Sequence, residues 1–333
     1  MQTLRLAPDS IEKAAEIIRL GGLVAFPTET VYGLGADGFS PEACASVFAA
    51  KGRPADNPLI LHLCDISQIN QVAFDIPNTF YLLKDFFPGA LTVILKKSDK
   101  VPMEVSAGLP TVAVRFPKNE IARELIRLSG TPIAAPSANK SGRPSPTRAE
   151  HVLADLDGRI DAVIHGGDCE YGLESTILDL SENTPSILRQ GVITEPRISE
   201  KIGAVLLTQN AKDAPKAPGM KYAHYSPRAK VTLVSSANIS KMTEKINALA
   251  LSRENSAIMA TDETFSAYTH GIVISLGSRA DLDEIARNLF ATLREFDKRG
   301  VSQVFAETLP TDGIGAAIMN RLIKSAGYSI IYV

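Results

Sequence analysis

Four polar stretches of the chain carry the residue types that do chemistry. "PTETVYGLGADG" (27–38) sets two threonines, a glutamate, a tyrosine and three glycines directly behind an apolar run that ends at Phe26. "PSANKSGRPSPT" (136–147) and "GGDCEYGLEST" (166–176) repeat the form, each following an apolar run with small hydroxyls and glycine. A turn needs only one or two such residues. Hydroxyls and bare backbone N–H groups can instead hold an anion without fixed charge, and strand ends of open α/β sheets are where ligands bind. The fourth stretch, "KGRPADNPLILHL" (51–63), adds Lys51 and Arg53, then Asn57 and His62. Two cations at a helix end could merely match the helix dipole, worth about 0.3–1 kcal/mol. Beside Lys140, Arg143 and Arg148, in a run (137–149) without an acid, they make two basic clusters flanking hydroxyl-rich loops. That combination suits a polyphosphate.

Missing motifs narrow the chemistry. There is no Walker A sequence, and no G-x-G-x-x-G opens a helix after a strand, so a nucleotide would be held in a non-standard way. No H-x-x-x-H or carboxylate cluster offers a metal cage. Ser137 and Ser175 lack the G-x-S-x-G setting of a nucleophile elbow. His62 alternates with apolar neighbours, the usual pattern of a core histidine. With no covalent catalyst in view, the expectation is catalysis by positioning and charge neutralisation, with ATP as the driving force.

These stretches must be positioned by regular elements. Ser10 is placed to cap a helix whose stripe is Ile11, Ala14, Ala15 and Ile18, ended by Gly21 and Gly22. "LVAF" follows as a buried strand, and Ser40-Pro41 opens a second helix. "PLILHL", "LTVILK" and "TVAVRF" read as strands, and "DAVIHGG", "STILDL" and "SILRQG" as further ones. Helices are expected at 78–86 and 119–129, and Thr147 with Glu150 reads as a capping box for another near 148–156. From 210 to 227, "NAKDAPKAPGMKYAHYSP" loses all periodicity and reads as an extended linker. After it, strands "KVTLVS", "SAIMA", "IVISL" and "SQVFAE" alternate with helices at 238–253, 281–299 and 314–326. Such alternation predicts a small parallel three-layer α/β domain.

The 333-residue length implies about two domains. A net charge of −2 gives no bulk attraction for nucleic acid, so any basic site is local. Cys44, Cys64 and Cys169 lie far apart and form neither a zinc knuckle nor a disulfide framework; the reducing cytoplasm fits. The N-terminal stretch has no signal pattern, and no apolar run reaches the roughly 18 residues of a membrane span.

"PTETVYGLG", "KGRPADNPLILH", "PSANKSGRPSPT" and "ESTILDL", in this order and spacing, resemble the YrdC/Sua5 family over about residues 8–200. "APGMKYAHYSP" resembles the linker of its long, Sua5-type members. The resemblance implies an α/β fold: a YrdC-like twisted open sheet with a concave basic cleft (1–209), a linker acting as a lid (210–228), and a Rossmann-like three-layer α/β domain (229–333). It implies that L-threonine, bicarbonate or CO2, and ATP give threonylcarbamoyl-adenylate and pyrophosphate. A downstream tRNA threonylcarbamoyl transferase complex would use the adenylate to make t6A at position 37 of tRNAs reading ANN codons. By the resemblance, Thr30, His62, Arg115 and Ser175 contact threonine, and Lys51, Arg53 and Asn57 contact the nucleotide phosphates. Thr111, Ala135, Ser137, Ser145 and Arg189 are further ATP contacts, and His224 and Tyr225 fold back over the nucleotide. Lys51, Arg53 and Ser137 carry the catalytic expectation, with Mg2+ arriving on ATP and no organic cofactor. The "KGR" triplet departs from the many relatives that carry a further basic residue at Gly52, which weakens one phosphate contact that the resemblance implies. Two rivals are a carbamoyltransferase of hydrogenase maturation, whose zinc-finger cysteines and acylphosphatase-like segment this sequence lacks, and a double-stranded-RNA binding module. The acidic balance argues against the latter; a weak tRNA contact stays compatible with the enzyme reading.

Overall fold

The structure is a computed structural model that describes residues 2–208 and 225–333. These fall into two compact units, the second taking in 142–144 and 171–173 along with the C-terminal part. Most of the linker expected at 210–228, with His224, lies outside the described residues.

The first unit is built on strands β1 (Leu4–Leu6), β2 (Val24–Phe26), β3 (Gly33–Asp37), β4 (Ile60–His62), β5 (Leu91–Lys96), β6 (Thr111–Arg115), β7 (Ile133–Ala135), β8 (Ala162–Ile164), β9 (Thr176–Asp179), β10 (Ser186–Arg189) and β11 (Leu206–Leu207). They form one mixed sheet in the order β1-β8-β2-β3-β7-β4-β6-β5-β9-β10-β11. Helices Ile11–Arg19 and Glu120–Ser129 cover one face, burying Ala14, Ile18, Ala122, Leu125 and Ile126 against Val24, Phe26 and Ile133. Burial of each large aliphatic there contributes roughly 1.5–3 kcal/mol.

Ser40 caps helix Pro41–Lys51, its hydroxyl accepting from the Ala43 amide at 3.1 Å. Ser10 occupies the cap position of its helix but makes no side-chain cap bond. The capping box at Thr147 does not form: Arg148 is the cap residue of helix Ala149–Leu156, and the Thr147 amide donates to His151 Nδ1 at 3.3 Å. The helix expected at 78–86 breaks at Leu83 into a turn of α-helix (Asn78–Leu82) and a 3-10 turn (Lys84–Phe86). Only Ile60–His62 of "PLILHL" is strand.

Strand β3 was not expected. "GLGAD" has little intrinsic β preference; it is a strand because β2 pairs with it on one side and β7 on the other, both antiparallel. Its glycines are there for packing. A Cβ at Gly35 would stand 2.7 Å from Ile133 Cγ2 and 2.8 Å from Phe26 Cε1, and one at Gly33 would stand 3.1 Å from Phe26 Cζ. The Phe26 ring packs where those two Cβ atoms would stand.

In the second unit, strands β12 (Lys230–Ser235), β13 (Ser256–Ala260), β14 (Ile272–Ser275), β15 (Gln303–Glu307) and β16 (Ile330–Tyr332) pair in the order β14-β13-β15-β12-β16. Every pairing is parallel, as the strand–helix alternation predicted. Helices Ile239–Leu251, Leu282–Lys298 and Gly315–Ser325 make the crossovers. No helix of the described residues is long and apolar enough to cross a membrane.

Candidate active site

The sheet register gathers residues that are far apart in sequence. His62 on β4 is paired with Arg115 on β6, and Arg115 with Thr92 on β5. Cross-strand partners point to one face, so an imidazole, a guanidinium and a hydroxyl form a row. The row continues through Ser175, whose hydroxyl lies 2.7 Å from that of Thr92. Arg189 donates through Nη2 to the Ser175 hydroxyl at 3.1 Å and through Nε to its carbonyl at 3.0 Å. One step along the strands on the same face, Ile60, Ala113 and Ile94 form an apolar row with Ile177. Thr111 lies on that face too, four residues before Arg115, hence roughly 13 Å from it along the strand. Ala135 is the register partner of Ile60.

Burial and the Arg115 charge act on the ionisable groups around the row. Arg115 is 4% exposed; its Nη2 donates to Glu29 Oε1 at 2.6 Å and its Nε to the Gly89 carbonyl at 3.3 Å. Burial by itself would raise the Glu29 pKa, but the Arg115 charge and hydrogen bond, with backbone amides, outweigh it and hold the carboxyl below its ordinary value. His62 is buried against Phe26, ring centroids 6.0 Å apart and edge to face. Burial first, then the Arg115 charge, push its pKa down to about 3. The imidazole is therefore neutral at physiological pH. Its Nδ1 lies 3.1 Å from the Ile60 carbonyl, and the Ile133 backbone also meets the ring, so the imidazole is held by backbone acceptors on the sheet.

The four polar stretches converge. The Tyr32 amide donates to the Pro146 carbonyl at 2.8 Å, and Leu34 and Ala138 amides donate across to Pro136 and Tyr32 at 2.9 and 2.8 Å. The Tyr32 hydroxyl donates to Gly167 at 2.8 Å and accepts from the Gly166 amide at 3.2 Å. The buried Lys51 ammonium donates to the carbonyls of Ser137, at 2.5 Å, and Asn139. Thr28 spends its hydroxyl within its own turn, donating to Val31 at 2.6 Å and lying 2.8 Å from the Thr30 hydroxyl.

Arg53 reaches the Asn57 and Pro58 carbonyls, each at 3.1 Å. Asn57 is 1% exposed, and its Oδ1 has no partner among the described residues. Ser137 donates to Asn139 Oδ1 and Ser145 to Glu174 Oε1, each at 2.5 Å. Two members of the second basic cluster are held in ion pairs: Arg148 pairs with Asp168 at 2.8 Å, and Arg143 with Asp297 at 2.7 Å inside the second unit. Tyr225 also stands in the second unit, its ring stacked on Phe290 at 5.2 Å with the Arg321 guanidinium 5.7 Å away. Among the described residues, no three His, Cys, Asp or Glu side chains come together as a cation site.

Sequence reading passed over Glu29, Thr92, Asn139 and Glu174. Glu29 carried a signal, as the single acid between buried-strand and hydroxyl residues. So did Thr92, a hydroxyl on an otherwise apolar strand.

Fold and site define a class: an α/β protein whose first unit lines one sheet face with buried cations and hydroxyls. Family models narrow it. Sua5_yciO_yrdC, described as "Telomere recombination", matches residues 16–191, and Sua5_C, described as "Threonylcarbamoyl-AMP synthase, C-terminal domain", matches 193–327. The chain belongs to the Sua5/YciO/YrdC family, in the form that carries the Sua5 C-terminal domain. It is 44% identical over 326 residues to the threonylcarbamoyl-AMP synthase of Bacillus subtilis, covering 96% of this chain and 94% of that protein. The Pyrococcus abyssi protein of the same name is 46% identical, covering 99% of this chain and 97% of that one. A crystal structure of P. abyssi Sua5 complexed with L-threonine superposes with a TM-score of 0.93 over the whole of both chains, at 44% identity.

Proposed function

We infer that the protein is a threonylcarbamoyl-AMP synthase, joining L-threonine, bicarbonate or CO2, and ATP into threonylcarbamoyl-adenylate with release of pyrophosphate. The observation that carries this reading is the row His62–Arg115–Thr92–Ser175 on a sheet face, in a chain that matches synthases of that name along nearly its full length.

In this proposal Arg115 takes the threonine carboxylate, for which a planar guanidinium is suited. Ser175 and Thr30 present hydroxyls to the rest of the amino acid, and neutral His62 lines the same site. With a pKa of about 3 it is a poor proton acceptor, so its role is orientation. The threonine amine, unprotonated, forms an N–C bond to carbon dioxide and loses a proton. A carbamate oxygen then bonds to the α-phosphorus of ATP as the bond to the β-phosphate oxygen breaks, and pyrophosphate leaves with the electron pair. Thr111 and Arg115, roughly 13 Å apart on one strand face, would bracket the two ends of such an adenylate.

Lys51, Arg53, Asn57, Ala135, Ser137, Ser145 and Arg189 make up the proposed nucleotide side, which receives ATP as its magnesium complex. The orphaned Asn57 Oδ1 supports a missing donor there. His224 and Tyr225 remain proposed nucleotide contacts. The protein would accordingly be a nucleotidyltransferase of the cytoplasm, its product consumed by a tRNA threonylcarbamoyl transferase complex.

The test is pyrophosphate release from ATP with threonine, serine or no amino acid, and with bicarbonate present or absent. Release that depends on both threonine and bicarbonate is expected. Release independent of threonine would overturn the reading.

A further inference from the structure

Glu29 and Arg115 form the most buried ion pair described in the first unit: their side chains are 2% and 5% exposed. A buried pair is poor as a source of stability, because desolvating two charges offsets most of their attraction, and apolar replacements often do as well. Its geometry is more informative. Glu29 is held at both oxygens: Oε1 accepts from Arg115, and Oε2 from the amides of Lys118 and Asn119 at 3.0 and 3.4 Å. Asn119 caps helix Glu120–Ser129 through its side chain, which accepts from Ala122 at 3.1 Å. The carboxylate is thus fixed to the start of a helix that packs on the sheet, and Arg115 is fixed to the carboxylate. With Nε on the Gly89 carbonyl, two guanidinium nitrogens are engaged by protein. Nη1 has no partner among the described residues. Together with the second N–H of Nη2 it makes the end-on edge of the fork, the edge that takes a carboxylate in bidentate fashion.

We propose that Glu29 is the positioning residue of the amino-acid site, aiming the end-on edge of Arg115 at the substrate carboxylate. This rests on the reading that Arg115 binds that carboxylate. The proposal also bears on ligand class. Glu29 offsets the Arg115 charge, so the pair as a whole is near neutral and suits a ligand of zero net charge, a zwitterion with one carboxylate and one ammonium, over a dicarboxylate.

Glu29→Gln changes little in volume but puts an N–H donor or a weaker acceptor against Arg115. The experiment is calorimetric titration of threonine and, separately, ATP into the full chain: wild type, Glu29→Gln, Arg115→Ala and the double variant. Threonine affinity should fall about tenfold or more in Glu29→Gln, the loss of one charge-assisted pair, with ATP affinity unchanged. In the Arg115→Ala background, Glu29→Gln should change threonine affinity less than twofold, because a positioning residue has nothing left to position. A purely structural Glu29 would weaken both ligands and act equally in both backgrounds, which overturns the proposal. Unchanged or tighter threonine binding in Glu29→Gln overturns it too, the latter meaning that Glu29 competes with the substrate carboxylate. If Arg115→Ala itself leaves threonine affinity unchanged, the functional reading of Arg115 fails and takes this proposal with it. If Arg115→Ala weakens threonine and Glu29→Gln does not, only the role of Glu29 fails. Should Glu29→Gln not fold, Glu29→Asp keeps the charge and shortens the reach by one methylene. The same selective loss is then expected, and wild-type threonine affinity overturns the proposal.

Discussion

His62 and Arg115 are register partners on parallel strands β4 and β6. A guanidinium beside a buried imidazole adds charge repulsion to desolvation, and both favour the neutral ring.

That relationship sets a pH dependence of stability. Folded His62 has a pKa of about 3 against 6.5 for an ordinary histidine. Below pH 6.5 the unfolded chain takes up a proton that the folded chain refuses. The stabilisation is therefore complete above pH 6.5 and is lost as pH falls toward 3, by at most about 1.4 kcal/mol per pH unit. Glu29 acts in a different window: with its pKa held below 4.5, its contribution is present above that value and is lost only at lower pH. Melting curves at pH 7.5 and 5.5 should show a drop in wild type that His62→Gln reduces. An equal drop in both would remove His62 as its source.

Lys51→Ala should cost both turnover and stability. A cation at a helix end looked dispensable for folding, but the Lys51 ammonium is buried and donates to two carbonyls of the 137–139 loop. Hydrogen bonds from a charged group are worth about 1.5–3 kcal/mol, so a loss of about 2–3 kcal/mol is expected in denaturant unfolding. Wild-type stability with lost turnover would restore the simpler view of a phosphate contact only.

Thr92→Val should leave the fold intact and weaken threonine. The substitution removes the hydroxyl 2.7 Å from Ser175, at a cost of about 1 kcal/mol, and leaves the Ser175 hydroxyl with Arg189 as its remaining side-chain partner. A several-fold rise in threonine KM with ATP KM unchanged is expected from initial rates; identical KM values would make the Thr92–Ser175 bond incidental to binding.

Gly35→Ala should destabilise the first unit although it touches no proposed ligand contact. The added methyl meets Ile133 and Phe26 below 3 Å, and overpacking of this kind costs about 1–3 kcal/mol. A lowered Tm with the threonine affinity of the surviving folded fraction unchanged is the expected pair of results.

Local pattern was enough to write much of this protein from its sequence. Short apolar and β-branched runs placed β5, β12 and β13 at their observed limits, and strand–helix alternation fixed the parallel sheet of the second unit, because each signal lies within a few residues. The four chemistry-bearing stretches were also legible, as clusters of residue types that a packed core does not use. Partners were not. Arg115 meets Glu29 across 86 residues, Lys51 spends its charge on carbonyls of a loop 86 residues on, and Arg148 is claimed by Asp168. A lone charge in sequence does not say which opposite charge or carbonyl the fold will bring to it. Strand β3 shows the same limit for the backbone: "GLGAD" becomes a strand because β2 and β7 offer hydrogen bonds and Phe26 needs the room of two absent Cβ atoms. Propensity is a property of neighbours along the chain, whereas pairing and packing are properties of neighbours in space, and only the tertiary structure decides those.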